Sequence, residues 1–422
     1  MIGKIIKWLF FAALSVAAAT VLLAAGIVYT LDLDDAKTAQ LGRFFATMRF
    51  IETQYVDEVD PAKLIDGAIS GMVRSLGDPH SAYLDPTTYK KLKEHSEGTF
   101  GGIGVVMGFD EADVRVISVM EGTPGESVGL KAGDRILRVD GEATKGMEPE
   151  LVAASIRGEA GTEVVLTIGR NGEADKDYAI TRDHIRVKTV AGRMLENEPG
   201  VGYIRIVQFS ENTGKEFRDA LNSLKEQGLQ GLIIDLRANP GGLLTTCVEI
   251  AKEVVPAGLI VSVVNRDGSK EEYYSELAGD LLPLVVLIDN NSASASEILA
   301  GALHDTNAAT LVGKTSYGKG SVQVIMPIPG QDDAVKLTIA RYYTPSGESI
   351  QGTGIRPDVE VNLPENATED TQFLTAVAQI KTKLGLPAPQ SMQQSIQYKI
   401  PGTMPGIFYI SLHPRIQDIF SS

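Results

Sequence analysis

Cysteine is nearly missing from this chain: of 422 residues only Cys247 is one. A single thiol excludes an internal disulfide and a thiolate metal site. In the apolar stretch Leu243-Leu244-Thr245-Thr246-Cys247-Val248 it reads as a small buried core residue. Positive charge is also short. Lys and Arg number 39 against 54 Asp and Glu, a formal charge of −15. Such a surface repels phosphate backbones, so nucleic acid is excluded as a partner. No repeat of fixed period occurs, which excludes solenoids and propellers. Histidine is sparse, five residues in all, and none belongs to a hydrolytic motif. His304 and Asp305 invite a triad with Ser294, but ten residues along one helix is about 15 Å, beyond hydrogen-bond reach. His80 follows a proline in a turn and reads as structural or exposed. His95, His184 and His413 stand in charged or loop contexts.

Apolar residues make up 43% and charged residues 22%, which is ordinary for a globular chain, and the length suits two or three domains. The N-terminus departs from this. Lys4 and Lys7 precede an apolar run from Trp8 to Leu31, interrupted by Ser15, Thr20, Tyr29 and Thr30. That run is long enough to span a bilayer. The basic flank should stay cytoplasmic and Asp32-Leu33-Asp34-Asp35 should cross. Ala17-Ala18-Ala19 offers a signal-peptide cleavage site, yet the apolar run continues past it. The expectation is an uncleaved anchor over 1–33, with the rest exported to the periplasmic side of an inner membrane.

Four further segments follow. Residues 34–98 carry apolar positions at helical spacing, from Leu41, Phe44 and Phe45 to Leu64, Ala68 and Met72, and predict a small helical region. Residues 99–185 alternate short β-rich runs (104–107, 114–119, 135–139, 162–168) with glycine turns, plus one helix over 148–156. Residues 186–365 alternate strands (201–206, 231–236, 284–289) with helices (215–227, 243–254, 296–305), which predicts an α/β core with a mostly parallel sheet covered by helices. Residues 366–422 begin with a helix at 371–384 and end in a polar tail without assignable structure.

Chemistry concentrates in four stretches. Phe100-Gly101-Gly102-Ile103-Gly104-Val105 is a glycine-rich turn entering a strand. Its successive N–H groups could hold a carboxylate, and the strand beyond could pair with a peptide. Asp235-Leu236-Arg237-Ala238-Asn239-Pro240-Gly241-Gly242 links a strand to a helix. Gly241 or Gly242 there is a candidate oxyanion donor. Asn291-Ser292-Ala293-Ser294-Ala295-Ser296-Glu297 sets Ser294 at the positive end of a helix, with the Ala295 N–H beside it. Ser292 and Ser296 compete as helix caps. Gly313 to Gln323 is a loop in which small residues would let Lys319 approach a buried nucleophile. A lysine acts as a base when desolvation lowers its pKa, and Gln323 could orient it or the substrate. This loop is not a P-loop. Gly320 stands where Ser or Thr must bind magnesium, and a strand follows where a helix is required. Ser316-x-x-Lys319 contains Gly318 and lacks the partner motifs of penicillin-binding enzymes. No metal or other cofactor is implied.

These stretches carry a resemblance. Residues 99–185, with Gly101-Gly102-Ile103-Gly104-Val105, Gly122-Thr123-Pro124-Gly125 and Gly129 to Leu137, resemble a PDZ domain of the bacterial protease type. In that family the Gly-Ile-Gly-Val turn binds a C-terminal carboxylate. Asn291 to Leu299 and Gly313 to Gln323 resemble the C-terminal processing peptidases, or tail-specific proteases, over about residues 36–380. The resemblance implies Ser294 as nucleophile, Lys319 as base, Gln323 as assistant, and Ala295 with Gly241 or Gly242 as oxyanion donors. It further implies serine endopeptidase activity on proteins with exposed C-termini, a PDZ module that gates the site, and a homodimer or an adaptor lipoprotein as partners. The competing expectation is a catalytically silent PDZ scaffold that presents tails to another protein.

Overall fold

A computed structural model describes residues 34–109, 114–147, 149–170, 172–279, 281–363 and 369–387. The apolar run at 8–31 and the tail after 387 lie outside the described residues. Among the described residues no helix is long and apolar enough to cross a membrane. The chain divides into two compact units that part between Gly77 and Asp78.

The first unit contains α1 (Asp35–Gln54) and α2 (Pro61–Arg74). Each starts on an aspartate that accepts from the first turn: Asp34 from Lys37 N at 2.7 Å and Asp60 from Ala62 N at 2.9 Å. Such caps satisfy N–H groups that lack helical partners. Pro61 occupies the first turn, where its missing N–H costs nothing.

The second unit opens with β1 (Ala82–Leu84) and α3 (Pro86–Glu97). Residues 78–98 therefore differ from the helical region expected of 34–98. They contribute a strand, and they fold with the second unit. The glycine-punctuated stretch forms β2 (Thr99–Gly102), β3 (Val105–Phe109), β4 (Val114–Val119), α4 (Pro124–Ser127), β5 (Arg135–Val139), β6 (Glu142–Ala143), α5 (Pro149–Ile156), β7 (Glu163–Gly169), β8 (Lys176–Thr181) and β9 (Asp183–Arg186). An antiparallel sheet runs β3-β4-β5-β7-β8, with β6 on β5. Along β7, Val164, Leu166 and Ile168 face inward, the period-two pattern of a half-buried strand. β2 and β9 pair with each other, apart from that sheet, so the module's two ends meet where it joins the rest of the unit.

The core follows as β10 (Val190–Met194), β11 (Val201–Ile206), α6 (Thr213–Glu226), β12 (Gly231–Asp235), α7 (Leu244–Val254), β13 (Gly258–Asn265), β14 (Lys270–Ser275), β15 (Leu284–Ile288), α8 (Ala295–Asp305), β16 (Ala309–Gly313), β17 (Ser321–Pro327), β18 (Ala334–Tyr343), β19 (Val359–Glu360) and α9 (Thr371–Lys383). The central sheet runs β10-β11-β12-β15-β16-β19. All its pairs are parallel except β10 with β11. Every residue of β12 and β15 is buried, as strands covered on both faces must be. One face packs on Phe217, Leu221, Ile250 and Leu299 from α6, α7 and α8. The other packs on Phe373, Val377 and Ile380 of α9. A second, antiparallel sheet runs β1-β18-β13-β14, with β17 on β18. Because β12, β15 and β16 are adjacent and parallel, the loops at their carboxyl ends lie side by side. Open α/β sheets gather their functional groups at that edge.

Candidate active site

Those three loops are 236–243, 289–294 and 314–320, and hydrogen bonds lock them together. Ala293 N donates to Asn239 O at 3.0 Å, Ala238 N to Asp289 Oδ1 at 2.9 Å, and Tyr317 N to Ser292 O at 3.0 Å. The neighbouring serines are consumed in this scaffold. Ser292 Oγ donates to Leu236 O at 2.8 Å and Ser296 Oγ to Asn239 O at 3.0 Å, both fully buried. Ser294 differs. It caps α8 with φ 54° and ψ −114°, a conformation that costs a non-glycine residue about 1–3 kcal/mol. Ser294 and Glu297 form a capping box, the Ser294 side chain facing the Glu297 N–H and the Glu297 side chain taking the Ser294 N–H.

Glu297, one turn into α8 and fully buried, organises the site. Its Oε2 accepts from Ser294 N at 2.8 Å and from Lys319 N at 2.9 Å. Its Oε1 accepts from Ser316 Oγ at 2.5 Å and Gly318 N at 2.7 Å. Burial pushes this carboxyl's pKa up, and the four donors act against burial. The main-chain nitrogens of Ser294 and Lys319 therefore converge on one oxygen. From the other side, the buried Tyr342 hydroxyl meets Ser294 O at 3.2 Å and also Lys319 O.

Lys319 is only partly exposed. Burial is the main force that lowers its pKa to about 8, and the Lys336 ammonium adds to it, while Glu297 and Asp78 oppose. No hydrogen bond joins Lys319 Nζ to Ser294 Oγ among the described residues. On β17, Gln323 Nε2 donates to Ser321 Oγ at 2.9 Å and Thr338 Oγ1 at 3.2 Å. It is not hydrogen-bonded to Ser294 or Lys319.

The oxyanion candidates separate by their hydrogen bonds. Gly241 N is occupied, donating to Asn239 Oδ1 at 2.8 Å. The N–H groups of Gly242 and Ala295 have no partner among the described residues. Gly241 instead gives clearance. A Cβ there would stand 2.6 Å from Ala293 O and 2.9 Å from Ala295 N and Ser294 Cβ. Behind this loop lies a buried ionic network. Asp235 takes Arg237 Nη2 at 2.7 Å and Tyr203 Oη at 2.8 Å, and Arg237 Nη1 reaches Asp370 at 2.8 Å. Burial alone would raise the Asp235 pKa, but the Arg237 guanidinium outweighs it and the pKa is lowered.

His80 was expected to be structural or exposed, and it is buried, 9% exposed. Its turn is pinned by Asp78, which accepts from His80 N at 3.0 Å and Ser81 Oγ at 2.6 Å, while Ser81 Oγ accepts from Thr338 N at 3.0 Å. Its Nδ1 is buried without a partner. Burial and then Lys319 lower its pKa, so the ring stands in the field of the lysine. His304 instead pairs with Asp305 and Asp358 at the far end of α8. Cys247 is buried behind the serine turn, its Sγ 3.1 Å from Ala295 O.

In the β-rich module, Gly102, Ile103, Gly104 and Val105 line a cleft of about 60 Å³ beside α5, together with Phe100 and Arg157. Gly101 does not line it. It pairs with His184 and packs on Gly158, whose carbonyl would stand 2.0 Å from an added Cβ. The Arg157 guanidinium lies 4.8 Å from the Phe100 ring centroid, and burial lowers its pKa against the pull of Glu94.

Glu297, Tyr342, Arg237 and Arg157 carry no role in the sequence reading, and His80 enters it only as a structural or exposed turn residue. Glu297 had a local signal, since an acidic residue three positions after a capping serine is the second half of a capping box. Tyr342 and His80 had none, because sheet pairing alone brings them in.

Three family models match the chain: peptidase family S41 over residues 200–361, the N-terminal domain of the activating protease CtpB over 10–88, and a PDZ domain over 115–170. A carboxy-terminal-processing protease of Bartonella bacilliformis is 40% identical, the match covering 86% of this chain and 84% of that protein. The carboxy-terminal processing protease CtpA of Bacillus subtilis is 38% identical, over 83% of this chain and 75% of its own. A solved photosystem II D1 C-terminal processing protease is 30% identical with a TM-score of 0.46, covering 77% of this chain and 88% of that one. The chain belongs to the carboxy-terminal processing proteases of peptidase family S41, serine endopeptidases, here with a PDZ domain.

Proposed function

We propose that the protein hydrolyses polypeptides in the cell envelope with a Ser294/Lys319 dyad, engaging substrates by their C-termini. The observation that carries this reading is the shared Glu297 oxygen, which takes the main-chain N–H of both residues at 2.8 and 2.9 Å. A lysine with its pKa lowered to about 8 has a useful neutral fraction near neutral pH, as a general base requires. Neutral Lys319 takes the hydroxyl proton of Ser294 as Oγ bonds to the scissile carbonyl carbon. The N–H groups of Gly242 and Ala295 stabilise the resulting oxyanion. The Lys319 ammonium then gives its proton to the leaving amine. Lys319 next deprotonates water, which releases the acyl group and restores Ser294.

The cleft at Gly102–Val105 supports tail binding, with its turn N–H groups as carboxylate donors and the Arg157 guanidinium at its wall. The apolar run from Trp8 to Leu31, flanked by Lys4 and Lys7, supports an inner-membrane anchor and an extracytoplasmic catalytic region. The test is cleavage of an unfolded protein substrate by Ser294→Ala and Lys319→Ala variants, with products read by mass. Both variants should be inactive, and a C-terminally amidated substrate should be cut more slowly by the unaltered enzyme. Full-rate cleavage by Lys319→Ala would remove the dyad. Equal rates on free and amidated tails would remove the tail reading.

A further inference from the structure

We infer that Tyr342 is a positioning residue for the reaction: its hydroxyl bridges the carbonyls of Ser294 and Lys319 and fixes their relative orientation. This rests on the Ser294/Lys319 reading. The two residues are 25 positions apart in sequence and belong to different loops, so their alignment depends on groups that touch both. Glu297 holds their nitrogens. Tyr342 Oη has one hydrogen to give and shares it between their carbonyl oxygens, at 3.2 Å from Ser294 O and in contact with Lys319 O. The two main chains are thus tied at both ends of each residue.

Tyr342 is suited to this. It is 1% exposed and sits in β18, with β17 on one side and β13 on the other. Its own N–H donates to Gly320 O at 3.0 Å, next to Lys319. The strand is therefore fixed independently of the hydroxyl, and so is the ring. Ser294 has the strained φ of 54°, and a residue so held stays there only while its surroundings over-determine it. Tyr342 carries no proton to or from the substrate, since its single hydrogen is shared by the two main-chain carbonyls. Its action is on geometry.

The experiment compares Tyr342→Phe with the unaltered enzyme on one peptide, over pH, with folded fraction followed by circular dichroism. Removing the hydroxyl frees the Lys319 loop from the Ser294 turn. A misplacement of about 1 Å can cost on the order of 100-fold, and one lost tether of two should cost roughly tenfold in kcat with KM within about twofold. Other groups around Lys319 stay in place: Glu297 on α8, Lys336 on β18, and Asp78 and His80 in the turn before β1. A loosened Lys319 is better solvated, so the acid limb of kcat/KM should move to higher pH. A merely structural role would scale rates by the folded fraction at every pH and leave the limb in place. That result, or wild-type kcat in a folded Tyr342→Phe enzyme, overturns the inference. Ser294→Ala and Lys319→Ala are run in parallel. Their activity would sink the dyad, whereas their inactivity beside a fully active Tyr342→Phe sinks only the role of Tyr342.

Discussion

Replacing Lys336 by glutamine should move the acid limb of kcat/KM to higher pH. Burial and Lys336 together bring Lys319 from 10.5 to about 8. At pH 7 a group titrating near 8 is about one-tenth neutral, whereas one at 10.5 is neutral in about one molecule in 3,000. The site thus gains a few hundredfold in competent base. Burial comes first among the causes and survives the substitution. Lys336 comes second. A like charge acting through an effective dielectric near 20, with salt screening, contributes on the order of 1 kcal/mol, roughly 0.7 of a pH unit. The sign follows from the protonation state that works. Activity needs neutral Lys319, so it rises with pH through the lysine pKa, and raising that pKa moves the rise upward. At pH 7 the variant should be about fivefold slower, with the two enzymes converging above pH 10. The assay is kcat/KM on one fluorogenic peptide between pH 6 and 10, at two salt concentrations. A limb that stays put or moves down would refute the electrostatic reasoning.

Two other substitutions probe the frame around the dyad. Glu297→Gln replaces an acceptor of four donors by an amide whose NH2 must face N–H groups, so it should cost about 2–4 kcal/mol of stability together with activity; an unchanged melting temperature would contradict the role of the carboxylate. Gly241→Ala puts a Cβ 2.6 Å from Ala293 O at a φ of +97°, so the loop must shift against the Ala295 N–H. It should lower kcat on the order of 100-fold with little change in KM, measured by steady-state kinetics, and a kcat within twofold of wild type would contradict the close fit.

The residues that reveal this site in sequence are those whose function shows in their immediate neighbours. Ser294 stands between a strand and a helix, and Lys319 stands among small residues. Their loops proved to lie on neighbouring parallel strands, β15 and β16. The alternation of β12, α7, β15 and α8 was legible from hydrophobic period alone. The second sheet was not, because β18 pairs with β13 and with β1 across distances no local pattern encodes. With it went Tyr342, which reaches Ser294 O from 48 positions away, and His80, brought in by the pairing of β1 with β18. The choice between Gly241 and Gly242 was equally invisible, since it turns on which N–H the Asn239 side chain occupies. The Nε2 of Gln323, the expected assistant, donates to Ser321 and Thr338, partners set by its place on a paired strand and not legible from the loop sequence.

The central claim, that neutral Lys319 activates Ser294, is tested most directly by the pH dependence of Ser294 acylation by a reactive ester, followed as a pre-steady-state burst. The account predicts a rate that rises with pH to a plateau about a midpoint near 8, and no measurable burst in Lys319→Ala. A burst in Lys319→Ala at the wild-type rate, or a wild-type rate flat from pH 6 to 10, would contradict it.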